Sequence, residues 1–280
     1  MKSVVVTGVS TGIGWGVTKV LIQQGFRVFG SVRKAADAER LQQEFGERYV
    51  PLIFDVTDEA AVAAAAAQVR EALAGEPLAG LVNNAGVAVA GPLLHLPVAE
   101  FRQQIEINVT GVVIVTQAFA PLLVPGAGGQ SPPGRIVNIS SVGGKNSMPF
   151  LAPYNASKFA LEGLSEALRR ELMVLGIDVI IVAPGAVATA IWGKAEQVDI
   201  TPYRGTPFFP ALEKVRAYMN GAGGLPPERL GEVVATALTA ARPKVRYTVA
   251  PDAMQAFLMA NLPRRMVDRM IAGRLGLTPK

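Results

Sequence analysis

Short apolar runs alternate with helix-length amphipathic segments along almost all of the 280-residue chain. The runs at 3–7, 27–31, 50–54, 80–83, 134–139, 177–182 and 246–249 are too short for helices and rich in Val and Ile, so they read as strands. Helical periodicity begins near Gly12, Asp58, Ala99, Gly111, Tyr154 and Pro227. Strands that are apolar on both faces need cover on both faces. The alternation therefore predicts an α/β fold: one doubly wound domain over 1–280, with a seven-stranded, mostly parallel sheet and helices on both sides.

Two stretches break this rhythm. Residues 125–134 are rich in Gly and Pro and read as an exposed loop. Residues 185–225 mix Gly and Pro with Trp192, Tyr203, Phe208, Phe209 and Tyr218, and are too long for an ordinary connection. We read them as a substrate lid, the plainer alternative being a flap over its own small core. Residues 252–275 read as an amphipathic helical tail with Phe257, Leu262, Met266 and Met270 among Arg264, Arg265, Arg269 and Arg274. Such a tail can lie on an anionic membrane or pack on protein, and packing is the expectation. The uncharged stretch 107–134 is interrupted by Asn108, Gln117 and Pro121. Its apolar part falls short of the ~20 residues a membrane span needs, so a buried or interface-forming helix is expected.

Composition narrows the chemistry. There is no cysteine, which removes disulfides, thiolate nucleophiles and cysteine-held metals. His95 is the single histidine, and a histidine-based metal cluster or triad needs partners this chain lacks, so no metal is expected. The net charge of +5 is dispersed rather than gathered into a basic run, which fits a solvated surface and anionic small molecules better than nucleic acid. Met1 and Lys2 lead directly into Val4, Val5 and Val6, leaving no room for a charged and apolar leader, so a cytoplasmic location is expected.

The first strand runs into Thr7-Gly8-Val9-Ser10-Thr11-Gly12-Ile13-Gly14 and then a helix. Glycines at such a turn let the backbone approach a pyrophosphate, and the helix N-terminus supplies free N–H groups to its charge. The second strand ends Ser31-Val32-Arg33-Lys34, without the acid that usually holds a ribose 2′-hydroxyl. Ser31, Arg33 and Lys34 suit a 2′-phosphate instead, so NADP is expected over NAD. Tyr154 and Lys158, four residues apart at the start of a helix, project from one face. A neighbouring ammonium favours phenolate and would bring a phenol whose pKa is near 10 toward a useful range.

With these residues in place, the chain resembles the short-chain dehydrogenase/reductase family over about residues 2–250. The family's glycine motif matches Thr7 to Gly14, its adenine-contacting aspartate matches Asp55 beside Val56, and its NNAG motif is Asn83-Asn84-Ala85-Gly86. Its catalytic asparagine matches Asn108, its YxxxK motif is Tyr154 to Lys158, and the segment after strand six carries Pro184, Gly185, Val187 and Thr189. Its serine, thirteen residues before the tyrosine, selects Ser141 over the adjacent Ser140. The resemblance implies a Rossmann-fold oxidoreductase in which Tyr154 exchanges a proton with the substrate oxygen and Ser141 hydrogen-bonds that oxygen. Lys158 would lower the tyrosine pKa and hold the nicotinamide ribose, and Asn108 would position a water that leads to solvent. Homodimers or homotetramers through the helices starting near Gly111 and Tyr154 are also implied. One departure is that Ser10 and Thr11 stand where NADP-preferring members often carry a base.

Val142-Gly143-Gly144 and Met148-Pro149-Phe150, with the lid aromatics, suggest a pocket for a medium-to-large hydrophobic alcohol or ketone. The segment 184–194 and the tail are similar in wording to the steroid- and retinoid-type branch. The alternatives are a polyketide- or acyl-type ketoreductase, a general carbonyl reductase, or a non-catalytic NADP-binding scaffold.

Overall fold

The computed structural model describes residues 1–126, 129–188, 199–221 and 224–278. The strands are β1 (Ser3–Val6), β2 (Arg27–Val32), β3 (Tyr49–Ile53), β4 (Gly80–Asn83), β5 (Arg135–Ile139), β6 (Val179–Pro184) and β7 (Arg246–Val249). The α-helices are α1 (Gly12–Gln23), α2 (Ala35–Phe45), α3 (Glu59–Leu73), α4 (Val98–Ile105), α5 (Gly111–Phe119) and α6 (Ala152–Glu171), then α7 (Phe209–Gly221), α8 (Pro227–Thr239), α9 (Ala253–Asn261) and α10 (Arg264–Leu275). A π-helical turn, Glu106–Thr110, joins α4 to α5.

The sheet runs β3-β2-β1-β4-β5-β6-β7, and every pairing is parallel. Chain order reverses between β1 and β4, and the connections leaving their carboxyl ends diverge there, opening the crevice where doubly wound folds bind ligands. Alternate residues of β1 feed two cores. Val4 and Val6 pack with Val17, Leu21, Leu230 and Val234 of α1 and α8, whereas Val5 packs with Val62, Val69, Val115 and Phe119 of α3 and α5. Glycines allow α1 and α8 to touch: a Cβ on Gly16 would meet the Pro227 carbonyl carbon at 2.5 Å, and one on Gly231 would meet the Gly16 oxygen at 2.7 Å.

Several elements differ from expectation. Helix α2 was missed because it buries only Ala38 and Leu41, so its apolar stripe is too thin to read, although Ala, Glu, Arg, Leu and Gln favour helix. Helix α7 falls inside the segment expected to be irregular. Pro210 sits in its first turn, where no N–H is required. The tail is two helices, because Pro263 interrupts it.

Residues Val98–Leu123 form 26 continuous helical residues, long and apolar enough by composition to cross a membrane. This is more than the apolar count from 107 onward suggested. Its inner face nevertheless buries Gln104, Asn108 and Thr116. Gln104 accepts from the Val89 N–H at 2.7 Å and donates to the Val87 carbonyl at 2.8 Å, and Thr116 accepts from Asn83 at 3.1 Å. Buried polar groups satisfied by the protein's own loops and sheet show that this inner face packs on the protein.

Candidate active site

The crevice begins at the glycine turn. Gly8 and Gly12 have φ of 69° and 63°, the left-handed region that Cβ-bearing residues avoid. A Cβ on Gly14 would lie 2.2 Å from the Gly8 oxygen and 2.5 Å from Asn84 Nδ2, so backbone here approaches backbone as closely as chemistry permits. Asn84 Nδ2 donates to the Thr7 and Gly8 carbonyls at 2.8 and 3.0 Å, while Thr7 Oγ1 accepts from the Asn84 and Ala85 N–H groups at 3.0 Å. Thr11 flanks α1 without a side-chain cap, and no acid lies in the first turn through Ile13. The N–H groups of that turn therefore carry uncompensated positive charge, and a pyrophosphate fits this cradle.

At the end of β2 the expected arrangement changes in one respect. Ser31 is buried, and its hydroxyl accepts from the Gly8 N–H at 3.0 Å. It braces the glycine turn instead of facing outward as a phosphate donor. Arg33 is the outward group: its side chain is 68% exposed and stands 3.8 Å from Asp55 Oδ2. The other Asp55 oxygen accepts from the Thr57 N–H and hydroxyl at 3.0 and 2.8 Å. Val56 is buried against Gly111. A base that sequence reasoning missed, Arg40 of α2, donates to the Ser10 carbonyl at 2.7 Å.

The structure brings Ser141, Tyr154 and Lys158 together. Ser141 follows β5, and its Oγ accepts from the Gly143 N–H at 3.0 Å and reaches the Pro184 carbonyl at 3.5 Å. Helix α6 carries Tyr154 and Lys158, whose ammonium lies 5.7 Å from the phenol ring centre and donates to the Ile139 carbonyl at 2.8 Å. Burial raises the Tyr154 phenol above its ordinary value, opposed by its hydrogen bond with Ser141. Burial brings Lys158 down to about 8, opposed by Glu162. The depression expected for the tyrosine therefore does not dominate, because desolvation outweighs the pull of a neighbouring cation that is itself buried.

Asn108 sits in the π-helical turn, buried. Its Oδ1 accepts from the Val87 N–H at 2.9 Å, and its Nδ2 donates to the Val87 carbonyl at 3.0 Å and to Ser157 at 3.1 Å. It clasps the loop after β4 to α6, with Gly86 close enough that a Cβ would stand 3.2 Å from Oδ1. After β6, Gly185 donates to the Val249 carbonyl at 2.8 Å, and Val187 is buried in a bridge to Leu225. Thr189 and Trp192 lie outside the described residues.

Further along α6, Phe159 is 43% exposed despite its apolar ring. Glu162 turns inward, its side chain only 13% exposed, and meets Ser140 and Arg246. Glu162 continues the four-residue spacing of Tyr154 and Lys158, but that spacing alone names no partner for it.

Tyr203 and Phe208 of the segment after β6 join an aromatic cluster with His95 and Phe150. His95 lies 6.4 Å from Tyr203 and 5.8 Å from Phe208, and Phe208 meets Phe150 edge-on at 6.3 Å. Phe150 has a φ of 66°, and its carbonyl accepts from the Gly91 N–H at 2.8 Å. Met148, Pro149 and Phe150 also line a cavity of about 540 Å³ with Phe159, Ile271 and Leu277. That cavity lies toward the tail, on the side of α6 carrying Asn155 and Phe159, and is separate from the stripe of Tyr154 and Lys158. In the tail, α10 buries Val267 and Leu275, whereas α9 leaves Met254, Phe257 and Leu258 exposed.

A parallel Rossmann-type sheet, a glycine-lined anion cradle and a tyrosine–lysine stripe define a nicotinamide-dependent oxidoreductase. Residues 2–199 match the short chain dehydrogenase family, and the chain belongs to it. It is an NAD(P)-dependent enzyme of the kind that interconverts alcohols and carbonyls. It is 40% identical over 275 residues to an NADPH-dependent 3-dehydrocapnine reductase of Ornithobacterium rhinotracheale, covering 96% of each chain. It is 33% identical over 283 residues to retinol dehydrogenase 5 of Homo sapiens, covering 96% of this chain and 87% of that one. Among solved structures it superposes on an actinorhodin polyketide ketoreductase determined with NADPH, with a TM-score of 0.73, 28% identity and coverage of 93% and 98%.

Proposed function

We propose that this protein reduces a hydrophobic ketone, or oxidises the matching alcohol, with NADP(H), using Tyr154 as the acid–base group. The observation that carries the reading is the meeting of buried Ser141 and Lys158 with part-buried Tyr154 at the carboxyl end of β5. The fit to the dinucleotide rests on the free N–H groups of α1 and the close approach that Gly8, Gly12 and Gly14 allow. When bound, the dinucleotide supplies the hydride.

The chain's own residues supply the rest. Tyr154, held protonated by burial, gives its proton to the substrate oxygen in reduction. Ser141 donates a second hydrogen bond to that oxygen as charge develops, a preorganised pair of donors in a water-poor site. Lys158, anchored on the Ile139 carbonyl, presents a positive charge that stabilises the phenolate left behind. Asn108 holds the loop and α6 in register around it. Arg33 would meet the 2′-phosphate, and the NADPH named for the 3-dehydrocapnine reductase supports that preference.

The aromatic cluster of Phe150, Tyr203 and Phe208 supports an apolar substrate, as do the relatives named for retinol and capnine chemistry. The likeness to the polyketide ketoreductase keeps an acyl-type ketone as the second reading. The deciding experiment follows nicotinamide absorbance with NADPH and with NADH across small diketones, ketosteroids, retinal, long-chain aliphatic ketones and β-ketoacyl thioesters. Turnover of bulky apolar ketones with NADPH is expected. Preference for the thioesters would favour the second reading, and preference for NADH would overturn the cofactor assignment.

A further inference from the structure

Behind the Ser141 turn lies a buried ion pair that the proton transfer itself does not use. Glu162 extends the Tyr154–Lys158 stripe by one more helical turn. Its two oxygens take a two-pronged contact from Arg246 of β7, with Nε–Oε2 at 3.0 Å and Nη2–Oε1 at 3.1 Å. The two side chains are 13% and 17% exposed. Ser140 Oγ donates to Glu162 Oε1 at 2.8 Å, and Arg246 Nη2 reaches the Ser141 carbonyl at 3.5 Å. Three consecutive residues at the end of β5 are therefore pinned from outside the strand: Ile139 by Lys158, Ser140 by Glu162 and Ser141 by Arg246. Gly144 makes room for this, because a Cβ there would stand 2.8 Å from Ser140 Oγ and 3.0 Å from Glu162 Cγ.

We propose that Glu162 and Arg246 are a positioning pair that fixes the Ser141 turn and sets the charge state of Lys158, and through it the pH range of turnover. A largely buried fork-to-carboxylate pair costs several kcal/mol to desolvate and gives little net stability, so its place against the Ser141 turn is better explained by positioning than by folding. Glu162 acts on the lysine directly, and Arg246 acts on it by offsetting the charge of Glu162. Charged groups on the other elements packed against α6 are exposed: Glu100 and Arg102 on α4, Glu106 in the π-helical turn, and Lys145 beyond Gly144. A nearby charge shifts Lys158 and Tyr154 in the same sense, so the sign is argued for the two together. Losing the negative charge of Glu162 makes loss of a proton from that pair easier, whichever group releases it. Losing the positive charge of Arg246 makes it harder.

The inference rests on the acid–base reading of Tyr154 and Lys158, and its test is built to fail separately from that reading. The lysine is titrated directly by ¹³Cε-lysine NMR in the full-length protein without added cofactor, its resonance assigned with Lys158→Arg. The pH profile of 1-phenyl-1,2-propanedione reduction by NADPH is recorded in parallel. Glu162→Gln is expected to lower the Lys158 midpoint and the alkaline limb of turnover by about one pH unit, and Arg246→Gln to raise both. Arg246→Lys, which keeps the charge and loses the fork, should hold the midpoint within about 0.3 of the parent. If Glu162→Gln does not fold, the contrast between Arg246→Gln and Arg246→Lys decides. Midpoints that stay together, or move in one direction for both neutral variants, overturn the proposal. Turnover that survives in Tyr154→Phe would overturn the acid–base reading alone, because the lysine titration needs no turnover.

Discussion

The two sides of the crevice are built from different materials. On the cofactor side, β1, β2 and β4 present backbone groups, three glycines and small neutral side chains, and Thr7, Ser31 and Asn84 spend their hydrogen bonds holding the turn in shape. On the catalytic side, β5, α6 and β7 hold a buried ammonium, a part-buried phenol and a largely buried carboxylate–guanidinium pair. A neutral clamp costs little to bury and is indifferent to pH, whereas buried ionisable groups cost stability and titrate. Binding and proton transfer should therefore be separable by mutation, one side yielding to shape and the other to charge.

The sharpest break should come from Tyr154→Phe, which deletes one hydroxyl and leaves the clamp untouched. Turnover is expected to fall by about a thousandfold with NADPH affinity unchanged, read by steady-state kinetics beside fluorescence titration. Parallel loss of binding would mean that the two sides are not separable. Gly14→Ala should do the reverse. Its new methyl would sit 2.2 Å from a carbonyl oxygen that cannot yield. A loss of about 3 kcal/mol in urea denaturation is expected, together with weakened NADPH binding.

This division also explains what could be read without coordinates. The strands were legible because each is a short apolar run, and Gly8 to Gly14 and Tyr154 to Lys158 because their spacing carries a chemical reason. What was missed depends on long-range geometry. The inward turn of Glu162 is set by Arg246, 84 residues away, which no local pattern reports. The burial of Ser31 follows from its bond to Gly8, so a hydroxyl that suited a phosphate is spent on the turn. Helix α2 hid because the stripe it packs on the core, Ala38 and Leu41 with Phe45 beside them, is thin.

The charged side should reveal its cost when its central ammonium is removed. Burial holds Lys158 near 8 against an ordinary value of 10.5. The gross penalty is about 3 kcal/mol, less about 1 kcal/mol for the bond to the Ile139 carbonyl. Lys158→Met should therefore abolish turnover and raise stability by about 2 kcal/mol at neutral pH. The sign with pH follows from proton counting. Between about 8 and 10.5 the unfolded lysine keeps a proton that the folded one has lost, so wild-type stability rises with pH across that window. The advantage of the variant is full below the window and closes above it, which denaturation midpoints at pH 7 and pH 10 will show. A gap independent of pH would mean that the ammonium is not desolvated in the native state.

The smallest effect tests where the neutral clamp gives way to charge. Arg33 is the outward base at the end of β2, and its exposed guanidinium already lies near Asp55, so water and that carboxylate compete for it. Its contact with a 2′-phosphate should be at the weak end for a charged hydrogen bond, about 1.4 kcal/mol or tenfold in affinity. Arg33→Ala is expected to raise the KM for NADPH about tenfold while leaving that for NADH within about twofold. Stability should change little, because the side chain is 68% exposed and its pairing with Asp55 is loose. If both cofactors weaken equally, Arg33 acts through the adenosine they share. If neither weakens, the phosphate is met by another base, and Arg40, already bonded to the Ser10 carbonyl at 2.7 Å, is the residue to replace next.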